Sequence, residues 1–283
     1  MGSLLVAALS WPLLGTGPIM AAPPTVPVLV VCAPGYPGST ADAQPAMDRL
    51  AAAVAAAAGW KPSELKAAYF ETEQAGLDRL SSDDAALLLV PLPFWLQYQA
   101  TLKLAPLLQT IEEGGQAAEP WTLVAATGSV TNAQSLAGFE LVSVAAYVPR
   151  FVRGPALGAW GELPRDLRMT FSSAVLTSLR RASAGAKVAL LLDRAQAEAL
   201  PKLPFASKLQ VVTRSAPLPV SVLSGVGGRL PAARQKAVVR ALASLHTTPA
   251  GAEALAGVRL VRFVAADQVA LARARAAFDR IKE

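Results

Sequence analysis

The chain has 283 residues, of which 53% are hydrophobic and 16% charged, so it is neither disordered nor too short for two ordinary domains. Its formal net charge is +6. The basic residues are scattered among acidic ones and form no cluster flanked by aromatics, so no nucleic-acid partner is expected. A single cysteine, Cys32, excludes an intrachain disulfide and a cysteine-based metal site.

The amino-terminal segment looks like an export signal. Residues 1–22 are apolar, end in small residues and precede two prolines, which predicts a secretory signal cut near Ala21 or Ala22. The basic region that usually opens such a signal is missing, since the first basic residue is Arg49. A membrane anchor is the alternative, but the prolines and glycines within the segment favour export to the periplasm.

Strands and helices alternate through the first part of the mature chain. The pattern predicts three strands, Val26–Ala33, Leu65–Phe70 and Ala85–Val90. Between them it predicts a helix that begins at Asp42 and a second helix at Glu73–Leu80. Aromatic residues follow two of these strands, and both positions are predicted to be loops. Tyr36 lies in the first loop, and Phe94 and Trp95 lie in the second, shortly before Tyr98.

The stretch Trp121–Val144 separates this unit from a second one. Its strand Trp121–Ala126 opens into small and polar residues that include Thr127, Ser129 and Thr131, and a further strand begins at Glu140. A pivot with a strand–helix unit on either side predicts two lobes hinged about a cleft that grips a small molecule.

The second unit begins with the irregular, aromatic-rich segment Tyr147–Arg168, which contains Phe151. The pattern then predicts a helix from Thr170, with Phe171 in the core, and a helix at Asp193 with Gln196 as its capping-box partner. The predicted strands are Lys187–Leu192, Leu209–Val212 and Leu218–Ser224, the last of which crosses back to the first lobe.

The carboxyl-terminal third resembles the end of a known family. A return strand leads to a long helix at Pro231, a short helix at Thr248, a strand at Arg259–Phe263 and a final helix from Asp267. This order, together with the sequence Ser135-Leu136-Ala137-Gly138, resembles type II periplasmic solute-binding proteins. The phosphate/phosphite/phosphonate-binding (PhnD-like) branch is the most similar, and the likeness runs over about residues 26–281.

The resemblance implies an α/β protein with a two-lobed periplasmic-binding-protein-like fold, a hinge and an interlobe cleft. With the pattern above it divides the chain into a signal peptide (1–22), a first lobe (23–126 with 219–283) and a second lobe (127–218). It also implies an exported, monomeric receptor that captures a small-molecule ligand and delivers it to an inner-membrane transporter of the ABC type, without a cofactor.

One segment departs from that family. Phosphonate receptors of this branch carry a Ser-Thr-Ser-type turn after the first strand of the second lobe, whereas this chain has an apolar and aromatic run at Ser143–Pro149. An oxyanion left without those donors would lose several kcal/mol of solvation. The sequence therefore predicts an apolar or amphipathic ligand, such as a lipid, a sterol-like molecule or an aromatic compound.

The predicted ligand-binding residues lie on loops after strands or at the hinge. They are Tyr36, Phe94, Trp95, Tyr98, Thr127, Ser129, Thr131, Tyr147, Phe151 and Asp193.

Other functions stay open. The family's usual phosphonate-type oxyanion is one, and an enzyme or a sensor module on the same scaffold is another. Catalysis has little support, because the single histidine, His246, ends a predicted helix away from any nucleophile–base motif.

Overall fold

The computed structural model describes residues 25–36 and 38–282, and the predicted signal segment lies outside this range. The helices are α1 (Thr40–Ala57), α2 (Glu73–Leu80), α3 (Leu92–Tyr98), α4 (Pro149–Phe151), α5 (Val175–Ser183), α6 (Arg194–Ala199), α7 (Ala232–Ser244), α8 (Pro249–Ala256) and α9 (Gln268–Asp279). A π-helical segment, Val152–Ala156, continues α4.

The strands form two large sheets and one small one. They are β1 (Val28–Cys32), β2 (Lys66–Phe70), β3 (Ala85–Pro91), β4 (Leu104–Glu112), β5 (Ala118–Glu119), β6 (Thr122–Ala126), β7 (Glu140–Ser143), β8 (Arg168–Phe171), β9 (Val188–Leu192), β10 (Leu209–Arg214), β11 (Leu218–Pro219), β12 (Ser221–Val226) and β13 (Leu260–Ala265).

The first sheet has the strand order β13-β4-β12-β3-β1-β2. Strand β3 is apolar and buried almost throughout, as expected of a strand covered on both faces. Leu87 and Leu89 pack on one face with α1, α7 and α8, while Leu88 and Val90 pack on the other face with α2, α3 and α9. Strands β1, β3 and β4 run in one direction and therefore end at the same edge.

The second sheet has the order β10-β6-β9-β7-β8. Strand β9 is buried along its whole length at the centre of this sheet. Strands β7, β8 and β9 are parallel, and β6 runs antiparallel to β9, with Thr122 opposite Leu192. The chain therefore enters this lobe along β6 and moves away from the edge at which β7 and β9 end.

Two neighbouring crossings join the lobes. Strands β5 and β11 pair antiparallel. Beside them, the Trp121 backbone N–H donates to the Ser215 hydroxyl at 2.9 Å, and the Ser215 N–H donates to the Trp121 carbonyl at 2.9 Å. These hydrogen bonds hold the two crossing segments side by side, as a hinge requires.

This arrangement corrects the sequence-based position of the hinge. Thr122–Ala126 was expected to end the first lobe, but it hydrogen-bonds within the second sheet. The first lobe therefore ends before residue 122. The strand pattern was recognised, but a single strand does not reveal which sheet it joins.

Helix α9 contacts both lobes. Its residues Leu271 and Phe278 belong to the core, and it packs on the π-helical segment of the second lobe as well as on α3 of the first. The Arg150 guanidinium lies 4.3 Å from the Phe278 ring centroid and donates from Nε to the Ile281 carbonyl at 3.1 Å. Gly154 allows this approach, because a Cβ there would lie 2.5 Å from the Ala277 carbonyl oxygen.

Two local predictions were wrong. The segment that follows β3 is the helix α3, not a loop; Pro93, near its start, suits the first turn, where backbone N–H groups have no intrahelical acceptor. Thr170 lies in the edge strand β8, not at the start of a helix. Its hydroxyl donates to Glu140 of the neighbouring strand β7 at 2.7 Å.

Candidate functional site

The candidate site is the interlobe cleft, where strands of both sheets end. The loops after β1 and β7 and the junction of β3 with α3 supply most of its lining, and the hinge supplies Trp121. The lining residues are Pro34, Tyr36, Pro91, Pro93, Trp121, Val144, Ala145 and Tyr147. Apart from the two tyrosine hydroxyls and the Trp121 indole N–H, these side chains are apolar, so the cleft walls suit hydrocarbon better than a strongly hydrated ion.

The cleft is closed. Among the described residues that line it, no space between the walls is large enough for a water molecule. Phe171 of the second lobe packs edge-to-face on Tyr147, with ring centroids 5.5 Å apart, and its ring lies against Gly35 of the first lobe. Phe171 is 45% exposed, so it closes the mouth of the cleft and does not lie in the core as expected.

Tyr147, in the cleft wall, and Tyr98, outside it, differ in their hydrogen bonding. The Tyr147 hydroxyl is buried without a hydrogen-bond partner. Burial raises the pKa of Tyr147, and the nearby Tyr36, Cys32 and Glu73 add to this effect. The Tyr98 hydroxyl donates to Glu73 at 2.8 Å, and burial together with this carboxylate raises the pKa of Tyr98 to about 12. The Tyr147 hydroxyl, unlike that of Tyr98, therefore has no hydrogen-bond partner within the protein.

Carboxylates from three segments surround Tyr36. Burial raises the pKa of Tyr36, and the negative charges of Asp193, Glu112 and Glu119 raise it further. Burial also raises the pKa of Glu112 and of Asp193. Arg194 donates to Glu119 at 2.8 Å and to Glu198 at 2.7 Å, so its charge is shared between two carboxylates.

The structure brings together some of the predicted ligand-binding residues. Tyr36 and Tyr147 line the cleft, and Asp193 lies close to Tyr36 as the N-cap of α6, where it accepts from the Gln196 N–H at 2.8 Å. Tyr98 donates to Glu73 instead, and neither residue is among those that line the cleft. Tyr36, Tyr147 and Asp193 remain candidates for contact with a ligand.

Three predicted aromatics pack in the core instead. Phe94 and Phe151 are fully buried, and Trp95 donates from Nε1 to the Ser224 hydroxyl at 3.1 Å within the first lobe. Phe151 packs edge-to-face on Trp121 with ring centroids 5.3 Å apart. Phe94 and Trp95 belong to the run Leu92–Leu96 of α3, which is buried on all sides.

The predicted hinge hydroxyls lie at the wrong end of the second lobe. Thr127, Ser129 and Thr131 are exposed residues beyond the carboxyl end of β6. Because β6 runs antiparallel to β9, that end lies opposite the cleft edge. The Ser129 hydroxyl donates to the Ala126 carbonyl at 2.7 Å and so serves the local turn.

Sequence reasoning missed Trp121, Phe171, Glu73 and Glu112. Trp121 was assigned to a strand, but it comes just before β6. Phe171 was assigned to the core, but it is the last residue of β8, at the edge of the sheet that faces the first lobe. Glu73 opens α2 directly after β2, a position that could have identified it as a residue of the cleft edge. Glu112 gave no signal, because its position depends on the direction of β4.

Ser143 cannot replace the missing hydroxyl triplet. Its hydroxyl is buried, donates to the Leu191 carbonyl at 2.7 Å and accepts from the Ala145 N–H at 3.1 Å. Both bonds hold the turn after β7 against β9. The hydroxyl therefore faces the sheet and is unavailable to a ligand in the cleft.

A larger cavity, of about 250 Å³, lies at the opposite end of the second sheet. Glu140 lies in its wall and bonds Thr170, Arg168 and Arg181 at 2.7 to 3.0 Å. These bonds satisfy Glu140, and the position at the amino ends of the strands is not where ligands bind in open α/β sheets. We therefore place the candidate site in the cleft.

Within residues 25–36 and 38–282, no group of three or more potential ligands could hold a metal ion. Nor does any helix in this part of the chain combine the length and apolar character needed to cross a bilayer.

Comparison with known proteins supports the fold. No protein-family model matches the sequence, and no curated protein matches it significantly. A Xanthomonas citri protein, XAC2383, solved with chloride ion, superposes with a TM-score of 0.71 at 15% identity over 89% of this chain and 98% of its own.

Two phosphonate-related structures are also similar. The binding-protein component of an ABC phosphonate transporter from Pseudomonas aeruginosa has a TM-score of 0.61 at 14% identity, covering 87% of this chain and 84% of its own. PhnD1 from Prochlorococcus marinus, in complex with methylphosphonate, has a TM-score of 0.60 at 15% identity, covering 90% of this chain and 98% of its own. The predicted two-lobed, PhnD-like periplasmic-binding-protein fold is thus confirmed.

We predict that Gly35→Ala opens the lobes. Gly35 has φ of +82°, and an added Cβ would lie 2.8 Å from the Phe171 ring. Gly38→Ala is the matched control, because Gly38 has φ of +122° with nothing within 4 Å of an added Cβ. Both variants carry backbone strain of about 1–2 kcal/mol. Small-angle scattering should show a larger radius of gyration for Gly35→Ala alone, and equal radii for the two variants would contradict interlobe contact at Phe171.

We predict that two half-buried carboxylates make the protein less stable as pH rises. The native pKa values of Glu112 and Asp193 lie above the ordinary values of 4.5 and 3.8, so the native state binds more protons than the unfolded state in the window above those values. Their contribution to the free energy of unfolding is greatest below the window and falls as pH rises through it.

Urea unfolding between about pH 4 and pH 7 tests this prediction. The double variant Glu112→Gln with Asp193→Asn should lose less stability with rising pH than the wild type. Asparagine keeps the N-cap of α6. Glu198→Gln is the control, since Glu198 is 61% exposed although it pairs with the same Arg194. If the free energy of unfolding of the double variant fell with pH as steeply as that of the wild type, these carboxylates would not have raised pKa values.

Proposed function

We propose that the chain is an exported solute-binding receptor that captures an apolar or amphipathic small molecule between its lobes for an inner-membrane transporter. The lining of the cleft by prolines, aromatic rings and small apolar side chains carries this proposal. The fold shared with binding proteins of ABC transport systems supports the receptor role. In this proposal residues 1–22 direct export, and the mature chain begins near Ala22.

The proposed cycle depends on the hinge. When the lobes separate about β5 and β11, Trp121, Tyr36 and Tyr147 become accessible to a ligand. The walls of the closed cleft leave no room for even a water molecule. In the ligand-bound form the walls must therefore lie farther apart, by at least the thickness of the ligand. Burial of about 300 Å² of apolar ligand surface contributes roughly 7 kcal/mol before the entropic costs of association. That suffices for micromolar binding.

Two other functions have one supporting observation each. The PhnD1 structure contains methylphosphonate, which favours an oxyanion ligand. The absence of space between the described cleft walls favours a structural or sensory module that binds no ligand. An enzyme on this scaffold has no comparable support in the described residues, and we propose a function without catalysis.

The proposed function predicts that aromatic truncation in the cleft weakens ligand binding. Trp121→Ala and Tyr147→Ala should each reduce the affinity for an apolar probe such as octanol by about 1–3 kcal/mol, because each ring would pack on the hydrocarbon. Trp60→Ala is the matched control, since Trp60 packs against Arg234, with the guanidinium 4.1 Å from its ring, away from the cleft.

Titration calorimetry with octanol and with methylphosphonate measures the effect. Octanol binding that depends on Trp121 and Tyr147 but not on Trp60 supports an apolar or amphipathic ligand. Methylphosphonate binding that is indifferent to Trp121 would restore the oxyanion alternative. Failure of both probes to bind or stabilise the protein would favour the module without a ligand.

A further inference from the structure

We propose that the polar end of the ligand is uncharged and accepts a hydrogen bond from the Tyr147 hydroxyl, as the carbonyl oxygen of a ketone or an ester would. This inference rests on the proposed function, because it names the polar group of the molecule that the cleft receives. It excludes both a phosphonate-type anion and an ammonium as that group.

The cleft wall has no charge with which to neutralise an ion. Among the described residues that line it, every side chain is uncharged. Asp193 is not one of them, and as the N-cap of α6 its carboxylate accepts from the Gln196 N–H at 2.8 Å. An ion moved from water into such a wall without a counter-charge loses solvation that it does not recover, whereas an uncharged group loses far less.

Backbone N–H groups do not compensate for the missing charge. Three of the eight described lining residues are prolines, which have no N–H. The N–H groups of Tyr36, Trp121 and Ala145 donate within the protein, at 3.2, 2.9 and 3.1 Å respectively. At these six positions no N–H is therefore free to bind an oxyanion as the backbone of a helix N-terminus does.

The polar side-chain atoms of the lining favour an acceptor on the ligand. They are the hydroxyls of Tyr36 and Tyr147 and the indole N–H of Trp121. A hydroxyl donates or accepts, but an indole N–H only donates, so an accepting group can use all three atoms and a purely donating ammonium only two. A carbonyl oxygen has two lone pairs, which this wall can satisfy. The three oxygens of a phosphonate would be left largely without donors.

The Tyr147 hydroxyl is the atom of this set that most needs a partner. It is buried in the closed cleft and makes no hydrogen bond to the described part of the chain. A buried hydroxyl without a partner destabilises the structure that contains it. An uncharged acceptor that enters the cleft removes this destabilisation, and its own desolvation is offset by the same hydrogen bond.

Three probes with the same eight-carbon chain test the inference: 2-octanone, octanoate and octylamine. At about pH 7 octanoate is ionised and octylamine is protonated, since carboxyl and alkylammonium groups titrate near the pKa values of glutamate and lysine. Titration calorimetry should show 2-octanone binding at least about tenfold more tightly than either ion, because only the ions lose uncompensated solvation.

Tyr147→Phe tests the hydrogen bond itself, since it keeps the ring and removes the hydroxyl. It should weaken 2-octanone binding by about five- to tenfold, and it should raise the Tm of the free protein because the unpartnered group is gone. Tyr69→Phe is the matched control: its hydroxyl is also buried and unpartnered, but Tyr69 belongs to the core of the first lobe. This control should raise the Tm as well and leave the affinity for 2-octanone unchanged.

The possible outcomes separate this inference from the proposed function. Binding of octanoate or octylamine as tightly as 2-octanone, or more tightly, would overturn the uncharged acceptor while leaving an amphipathic ligand in place. An affinity for 2-octanone that is unchanged in Tyr147→Phe would overturn the assigned hydrogen bond. Failure of all three probes to bind the folded wild-type protein would overturn this inference and the proposed function together.

Discussion

Apolar contact between the two lobes is the interaction on which the cleft depends. Phe171 covers Gly35 at the mouth, and Tyr147 continues the contact inward until no space for water remains. This contact buries hydrocarbon, which favours closure. It also encloses an unpartnered Tyr147 hydroxyl, which opposes closure. Ligand entry is governed by the balance between these opposing contributions.

The hinge determines which residues can reach this cleft. Because the crossings are β5 and β11, every parallel strand of the second sheet ends towards the first lobe, whereas β6 ends away from it. Tyr147 and Asp193 follow β7 and β9 and therefore face the first lobe. Thr127 follows β6 and lies at the far end, although it is the more obvious hydrogen-bonding residue.

The sequence predicted the class of fold and most strands, because a short continuous apolar run such as Ala85–Val90 is typical of a central strand buried on both faces. It placed Tyr36, Tyr147 and Asp193 correctly at strand ends. It failed where strand direction or helix formation decides whether a side chain faces the cleft. Thr127 lies away from the cleft because β6 runs antiparallel to β9, and Trp95 is buried because its segment forms the helix α3. The acidic surroundings of Tyr36 arise from segments far apart in the chain, and local patterns cannot reveal them.

The molecule retained by the native protein tests the central claim most directly. The protein is purified from its own host, and mass spectrometry under non-denaturing conditions measures the mass of any molecule bound to it. Denaturation then releases the molecule for identification. The account predicts an amphipathic organic molecule that is lost from Tyr147→Ala but retained by Trp60→Ala. A phosphonate or phosphate bound in its place, or a protein that is empty in every preparation, would contradict the account.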